Sequence, residues 1–194
     1  MIDTLLRPKL DASLFQPLVK CLIKCRITPN QVTLFSLVTG LLVLPLLYCD
    51  WALLAVASLW LSGLGDVLDG GLARESDTTS DAGTIFDIIS DRCVEFAVIL
   101  ALYLVDPERA FLALMMLGSV LICVTTFLVI GIIAEKSGPK SFYYSPGLME
   151  RAEAFVMFSL MMFFPEWFLV LGWAFVCLVG LTVAMHLKKT TKGT

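Results

Sequence analysis

An all-α integral membrane fold, six transmembrane helices behind an amino-terminal amphipathic surface helix, is predicted by three features of this 194-residue chain. Hydrophobic residues make up 58% of it and charged residues only 16%, a balance that one soluble core of this length could not hide. The apolar residues fall into runs of roughly bilayer-spanning length. The lysines and arginines gather in the connections on one side of those runs.

In the juxtamembrane segment, residues 1–28, Leu14, Phe15, Leu18, Val19, Leu22 and Ile23 recur at helical spacing, and Gln16, Lys20 and Lys24 take another face. That is the pattern of a helix lying on a membrane surface. Pro17 suits its first turn. Arg7, Lys9 and Asp11 interrupt any continuous apolar stretch, so no signal peptide is expected. Thr28-Pro29 reads as a helix cap with proline at the first helical position, and the run Val32 to Cys49 is the first expected span. Five more follow: Trp51 to Leu72, Thr84 to Val105, Ala110 to Ala134, Ala152 to Phe164, the shortest, and Trp167 to Leu187. No repeat, linker or low-complexity tract divides residues 29–194, so the chain reads as a single domain, 1–194.

Twelve of the fourteen basic residues flank the spans on one side, which predicts a multi-pass protein with both termini and the active-site mouth in the cytoplasm. Trp51 and Trp167 fall at expected interfaces. The six cysteines sit mostly in apolar runs and read as small buried hydrophobes, not zinc ligands. The only histidine, His186, reads as interfacial. A net charge of −3 gives no reason to expect a nucleic-acid partner. Lipid bilayer is the expected surrounding, and a homodimer is compatible with a chain of this size, although no residue pattern specifies one.

Eight of the seventeen acidic residues lie between Asp66 and Glu95, several within spans, where an unpartnered carboxylate costs several kcal/mol. Asp66, Asp69, Gly70 and Ala73 share one helical stripe, with Arg74 at its edge; Gly83, Asp87 and Asp91 follow at four-residue steps on the next helix. Two such stripes on neighbouring antiparallel helices can face each other. Four converging carboxylates repel unless cations intervene, and oxygen-only donors favour magnesium, or manganese, over zinc. A pair of such ions suits a phosphate undergoing in-line displacement. Gly70, Gly71, Ala73 and Gly83 leave room for a substrate to approach the backbone. By spacing alone, a metal-dependent phosphate enzyme and a carboxylate-lined cation transporter or proton relay both fit. Glu95 extends the second stripe by a turn, and with Arg92 beside it an internal ion pair is expected.

The stretch from Asp66 to Asp91 resembles the signature of the CDP-alcohol phosphotransferase family. Its eight fixed positions are filled by Asp66, Asp69, Gly70, Ala73, Arg74, Gly83, Asp87 and Asp91. The resemblance implies attack of an alcohol hydroxyl on a CDP-alcohol with release of CMP. It implies two divalent cations, Mg2+ or Mn2+, on Asp66, Asp69 and Asp87, and Asp91 as general base and further metal ligand. Gly70, Ala73, Arg74, Ser80 and Gly83 would hold the CDP-lipid, together with Asn30, Gln31, Val32 and Thr33 before the first span. CDP-diacylglycerol as donor to a small polar alcohol is the leading expectation, with transfer from a CDP-aminoalcohol to diacylglycerol as the alternative. A prenyltransferase, which also holds magnesium diphosphate on acidic pairs, would lack the Gly-Ala-Arg continuation. Lys136, Lys140 and Arg151 are candidate acceptor contacts, because the segment around Arg151 is similar to that of family members using inositol phosphate; Ala154 stands where a second arginine would be expected there.

Overall fold

The computed structural model describes residues 15–136 and 148–192. Residues 1–14, with Arg7, Lys9 and Asp11, and the candidate acceptor contact Lys140 lie outside the described residues. Among the described residues the chain is helical, without strands, and forms two compact units, residues 15–107 and the remainder from Glu108 onward.

The first unit holds α1 (Gln16–Lys24), α2 (Pro29–Leu41), α3 (Val43–Tyr48), α4 (Ala52–Glu75) and α5 (Asp81–Val105). The run expected as one span from Val32 to Cys49 is broken at Leu42, since Pro45 has no N–H to return to the carbonyl four residues back. α2 packs along both α4 and α5, whereas α4 and α5 scarcely pack on each other. Polar and small residues permit the closeness: Ser36 Oγ donates to the Ser62 carbonyl at 2.7 Å, and Ser58 Oγ to the Thr39 carbonyl at 2.6 Å. A Cβ on Gly65 would lie 3.0 Å from the Ser36 Cβ, and one on Gly40 would overlap Val94.

α1, α3 and α4 end alike. Arg26, Asp50 and Asp77 take positive φ (56°, 65° and 53°), and the N–H of the next residue reaches back to the carbonyl of Leu22, Leu46 and Ala73 respectively. This is the Schellman cap, made three times without glycine. At its other end, α2 is capped by Gln31, whose Oε1 accepts the Thr28 N–H at 2.9 Å.

The second unit holds α6 (Ala110–Lys136), α7 (Arg151–Phe163) and α8 (Phe168–Lys192), with short 3-10 turns at Pro107–Arg109 and Pro165–Trp167. α6 and α8 pack closely, with Gly172 under Leu112. Phe158 stacks on Phe175 with centroids 5.3 Å apart, and Thr182 Oγ1 accepts the Met149 N–H at 3.0 Å. The Arg109 guanidinium lies 4.6 Å from the Phe168 ring centre.

Two expectations change, and one is met in part. Among the described residues four stretches are long and apolar enough to cross a membrane: Pro29–Tyr48, Ala52–Glu75, Pro107–Ile133 and Pro165–Lys188. The third expected span, α5, has length but carries Asp81, Asp87, Asp91, Arg92 and Glu95; the fifth, α7, has 13 residues, about 20 Å of rise against a hydrocarbon core of about 30 Å. Cys21, Cys25, Cys49, Cys93 and Cys177 are exposed rather than buried, as expected of apolar side chains whose surroundings are supplied from outside the protein. His186 is buried, its ring 6.5 Å from that of Phe127, because α6 covers its face of α8.

Candidate active site

Asp66 and Asp69 face the same way because three residues bring a helix almost once round. Asp87 arrives from the second turn of α5, whose start is fixed by Ser80: its Oγ accepts the Gly83 N–H at 3.1 Å. One carboxylate oxygen from each of Asp66, Asp69 and Asp87 lies within 4.8 Å of the others. Asp66 and Asp87 are within hydrogen-bonding reach, a contact that two bare carboxylates can hold only by sharing a proton or a cation. Asp69, 4% exposed, is anchored from α2 by Thr33, whose hydroxyl lies 2.5 Å from its Oδ2. The donor set, three hard oxygens with no nitrogen or sulfur, fits magnesium or manganese.

Asp91, one turn further along α5, is not part of that trio, although its charge reaches Asp87. It contacts Arg92 instead: Arg92 NH2 is 3.8 Å from Asp91 Oδ2, while Arg92 NH1 donates to Glu95 Oε2 at 2.6 Å. The internal Arg92–Glu95 pair is therefore present.

Beside the trio opens a cleft of about 220 Å³, filling the gap that α4 and α5 leave between them. Asn30, Thr33, Asp69, Gly70, Ala73, Arg74, Ser80, Gly83 and Asp87 line it, so most of the expected CDP-lipid contacts are gathered in one place. Gln31 and Val32 are not among them. Helical rotation turns Val32 into the core with Val19, Leu68 and Leu72, and Gln31 is spent on the helix cap. Pro29, Thr78, Thr79 and Thr84 also line the cleft and were not anticipated. The run Thr78-Thr79-Ser80, three hydroxyls between the acidic stripes, was the available signal. The first turns of α2 and α5 both border the cleft, adding the positive ends of two helix dipoles to the Arg74 guanidinium. Such a cleft suits an anion bearing several phosphate oxygens. Of the candidate acceptor contacts, Arg151 opens α7 with its guanidinium 5.3 Å from the Phe155 ring centre, and Lys136 closes α6.

A membrane-embedded helical scaffold that sets a carboxylate trio beside an anion-suited cleft defines a class, the membrane-bound phosphotransferases. Residues 26–185 match the family model for CDP-alcohol phosphatidyltransferase. The chain is 36% identical over 194 aligned residues to inner membrane protein YnjF of Escherichia coli, covering 94% of this chain and 91% of that one. It is 28% identical to the phosphatidylinositol phosphate synthase of Mycobacteroides abscessus, over 75% of this chain and 66% of that one. Among solved structures, Mycobacterium tuberculosis phosphatidylinositol phosphate synthase with CDP-DAG bound superposes with a TM-score of 0.71 at 22% identity, covering 90% of this chain and 92% of that one. The same enzyme in complex with manganese and citrate also gives 0.71 at 22%, covering 90% and 88%. The chain belongs to the CDP-alcohol phosphatidyltransferase family; it is an integral membrane enzyme of phospholipid synthesis that transfers a substituted phosphate group.

Proposed function

We propose that this enzyme moves the phosphatidyl group of CDP-diacylglycerol to a hydroxyl of a small phosphorylated polyol, of the inositol phosphate or glycerol phosphate class, and releases CMP. The observation that carries the reading is the trio of Asp66, Asp69 and Asp87 set beside a cleft lined by Asn30, Gly70, Arg74, Ser80 and Gly83. The solved relative with CDP-DAG bound supports the donor, and the one with manganese supports the metal. The phosphatidylinositol phosphate synthases among the relatives, and Arg151 at the head of α7, support the acceptor class.

Two divalent cations on Asp66, Asp69 and Asp87, with Asp91 on the second, would neutralise the diphosphate and the departing CMP. Around them the side chains divide the work. Arg74 pairs with phosphate oxygens, and Gly70 and Gly83 let the nucleotide lie close to the backbone; a Cβ on Gly83 would sit 3.1 Å from Ser80 Oγ and 3.4 Å from Asn30 Oδ1. Thr33 holds Asp69 in register. The acceptor oxygen bonds to the lipid-side phosphorus as the bond from that phosphorus to CMP breaks, and Asp91 takes the hydroxyl proton. In the membrane, α1 lies on the cytoplasmic surface, and α5 and α7 cross with the four longer stretches to give six spans. The polar groups of α5 are tolerated there because they face cations or each other.

The test is CMP release by the purified chain from CDP-dioleoylglycerol with Mg2+, across inositol 1-phosphate, glycerol 3-phosphate, inositol and serine. Turnover with a phosphorylated polyol, abolished by chelation, is expected. Turnover only with neutral or zwitterionic alcohols would overturn the acceptor class. Turnover only of CDP-choline or CDP-ethanolamine with diacylglycerol would overturn the donor.

A further inference from the structure

A second hollow, of about 160 Å³, opens between α1 and the last turns of α4. Val67, Gly71 and Arg74 recur at helical spacing and turn one face of α4 to it, while Asp69, Gly70 and Ala73 face the cleft. Arg74 stands on the ridge between the two faces and lines both spaces. Its NH1 lies 3.4 Å from where a Cβ on Gly70 would stand, on the cleft side. α1 presses close at Gly71, where an added Cβ would be 3.2 Å from Val19 Cγ2. Phe15, Val19 and Val67 give the hollow an apolar wall, and Lys20, Arg74 and Glu75 bring charge to it. Among the described residues none of these three charges is in an ion pair, with one another or with any other group.

We infer that the hollow between α1 and α4 seats the phosphodiester of an anionic glycerophospholipid with a hydroxyl-bearing headgroup, and that this lipid competes with the donor for Arg74. Two cations and one carboxylate leave a single positive charge, the complement of a single phosphodiester. Glu75 can accept from a headgroup hydroxyl, and the apolar wall suits the glycerol end of the lipid. A zwitterionic headgroup has no net charge to match, and a wholly apolar ligand would leave three charges without partners. α1 carries exposed Leu18 and Ile23 beside its lysines, the make-up of a helix at a lipid surface, where such a molecule is abundant. One guanidinium cannot fully serve two anions, so occupancy of the hollow weakens the hold on the nucleotide diphosphate. The regulatory half of the inference rests on the reading of Arg74 as a contact of the CDP-diacylglycerol phosphates.

The test uses the purified full chain in nanodiscs of dioleoylphosphatidylcholine, with or without about a third of the lipid replaced by dioleoylphosphatidylglycerol. Calorimetry with Mg2+ should show the Kd of CDP-dioleoylglycerol rising roughly threefold or more on replacement. Lys20→Gln, at an exposed position, should abolish the rise, whereas Lys24→Gln, on the same helix but outside the hollow, should keep it. An equal rise in Lys20→Gln, or its loss in Lys24→Gln as well, would mean general surface charge and overturns the proposal, as does no rise in the wild type. Inorganic phosphate that reproduces the Lys20-dependent rise in phosphatidylcholine alone would make the free ion the occupant and overturn the lipid. The thermal midpoint separates the hollow from the donor reading. Phosphatidylglycerol should raise it in the wild type and not in Lys20→Gln, with no CDP-dioleoylglycerol present. A shift equal in both, or none in either, overturns the site. If CDP-dioleoylglycerol fails to bind at all, the donor reading falls and the competition for Arg74 with it, while the midpoint still decides whether the hollow holds lipid.

Discussion

Thr33 on α2 and Asp69 on α4 are joined by a hydrogen bond of 2.5 Å in which the hydroxyl donates to Oδ2. The same hydroxyl lies 3.1 Å from the Pro29 carbonyl, but it has a single proton, and the charged acceptor is both nearer and stronger. One oxygen of Asp69 is thereby steered, in a residue otherwise sealed from solvent. Thr33→Val keeps the shape and removes the bond, a loss of roughly 1.5–3 kcal/mol for a charged acceptor. Tenfold or more Mg2+ should then be needed for half-maximal activity, roughly the kinetic equivalent of 1.4 kcal/mol, while Thr33→Ser should behave as wild type. A magnesium titration of CMP release checks both.

Asp66, Asp69 and Asp87 should each be indispensable to turnover and costly to stability. Asp87→Asn removes one of several mutually repelling charges and should abolish CMP release. In chelator it should nevertheless raise the thermal midpoint by a few degrees, since repulsion that a cation would otherwise relieve has been lifted. Thermal unfolding of both proteins with and without Mg2+ measures this. Full activity of Asp87→Asn would remove the metal-site reading.

The acidic stripes were legible because helical spacing alone brings Asp66 to Asp69 and Asp87 to Asp91. Their company was less so. Val32 was read as a nucleotide contact by adjacency, yet α2 turns about 100° per residue, which sends Asn30 and Thr33 to the cleft and Val32 to the core. The two stripes do meet, in the trio of Asp66, Asp69 and Asp87, while α2 packs along both helices and the space beside the trio is the cleft. α4 runs past Leu72 to Glu75, and α5 starts at Asp81 rather than Thr84. Hydropathy falls before a helix ends, and the Asp77 turn and the Ser80 cap decide the ends instead. Thr78 and Thr79 carried no charge or periodicity, and only their hydroxyls beside Ser80 marked them.

Gly65 meets Ser36 where α4 crosses α2, with an added Cβ only 3.0 Å from the Ser36 Cβ and 3.3 Å from its Cα. Backbone on the far side cannot step away as a flexible side chain could. Gly65→Ala should therefore destabilise the enzyme by about 1–3 kcal/mol despite alanine's better helix propensity. Gly118, where an added Cβ meets nothing within 4 Å, should tolerate the same change. Comparing thermal midpoints of the two variants checks the contrast.

Arg151 offers a charge at the start of α7, while Ala154, one turn on, is buried and offers none. If Arg151 receives an acceptor phosphate, Arg151→Ala should raise the acceptor's KM roughly tenfold to a hundredfold and leave that of CDP-diacylglycerol nearly unchanged. Equal losses for both substrates, or none, would favour a neutral or zwitterionic acceptor.

The orientation of the spans rests on the placement of basic residues. In a variant lacking the native cysteines, Glu108→Cys should react with an impermeant maleimide added outside intact cells, and Lys188→Cys only after the membrane is opened. The reverse pattern would invert the proposed topology.

The turn at Asp77 makes the segment between the two acidic stripes a ruler. From Asp69 the chain descends six residues to the end of α4 at Glu75, about 9 Å of rise; from Asp81 it climbs six residues to Asp87, again about 9 Å. Arms of equal length bring the two carboxylates back to one depth, and the Thr78 N–H returning to the Ala73 carbonyl fixes where the chain reverses. One residue added to either arm would shift its aspartate by about 1.5 Å along the helix and about 100° around it, carrying it away from the other carboxylates of the trio. The spacing between the halves of the signature is thus a measure of depth, and its eight intervening residues work through their number as much as through their chemistry.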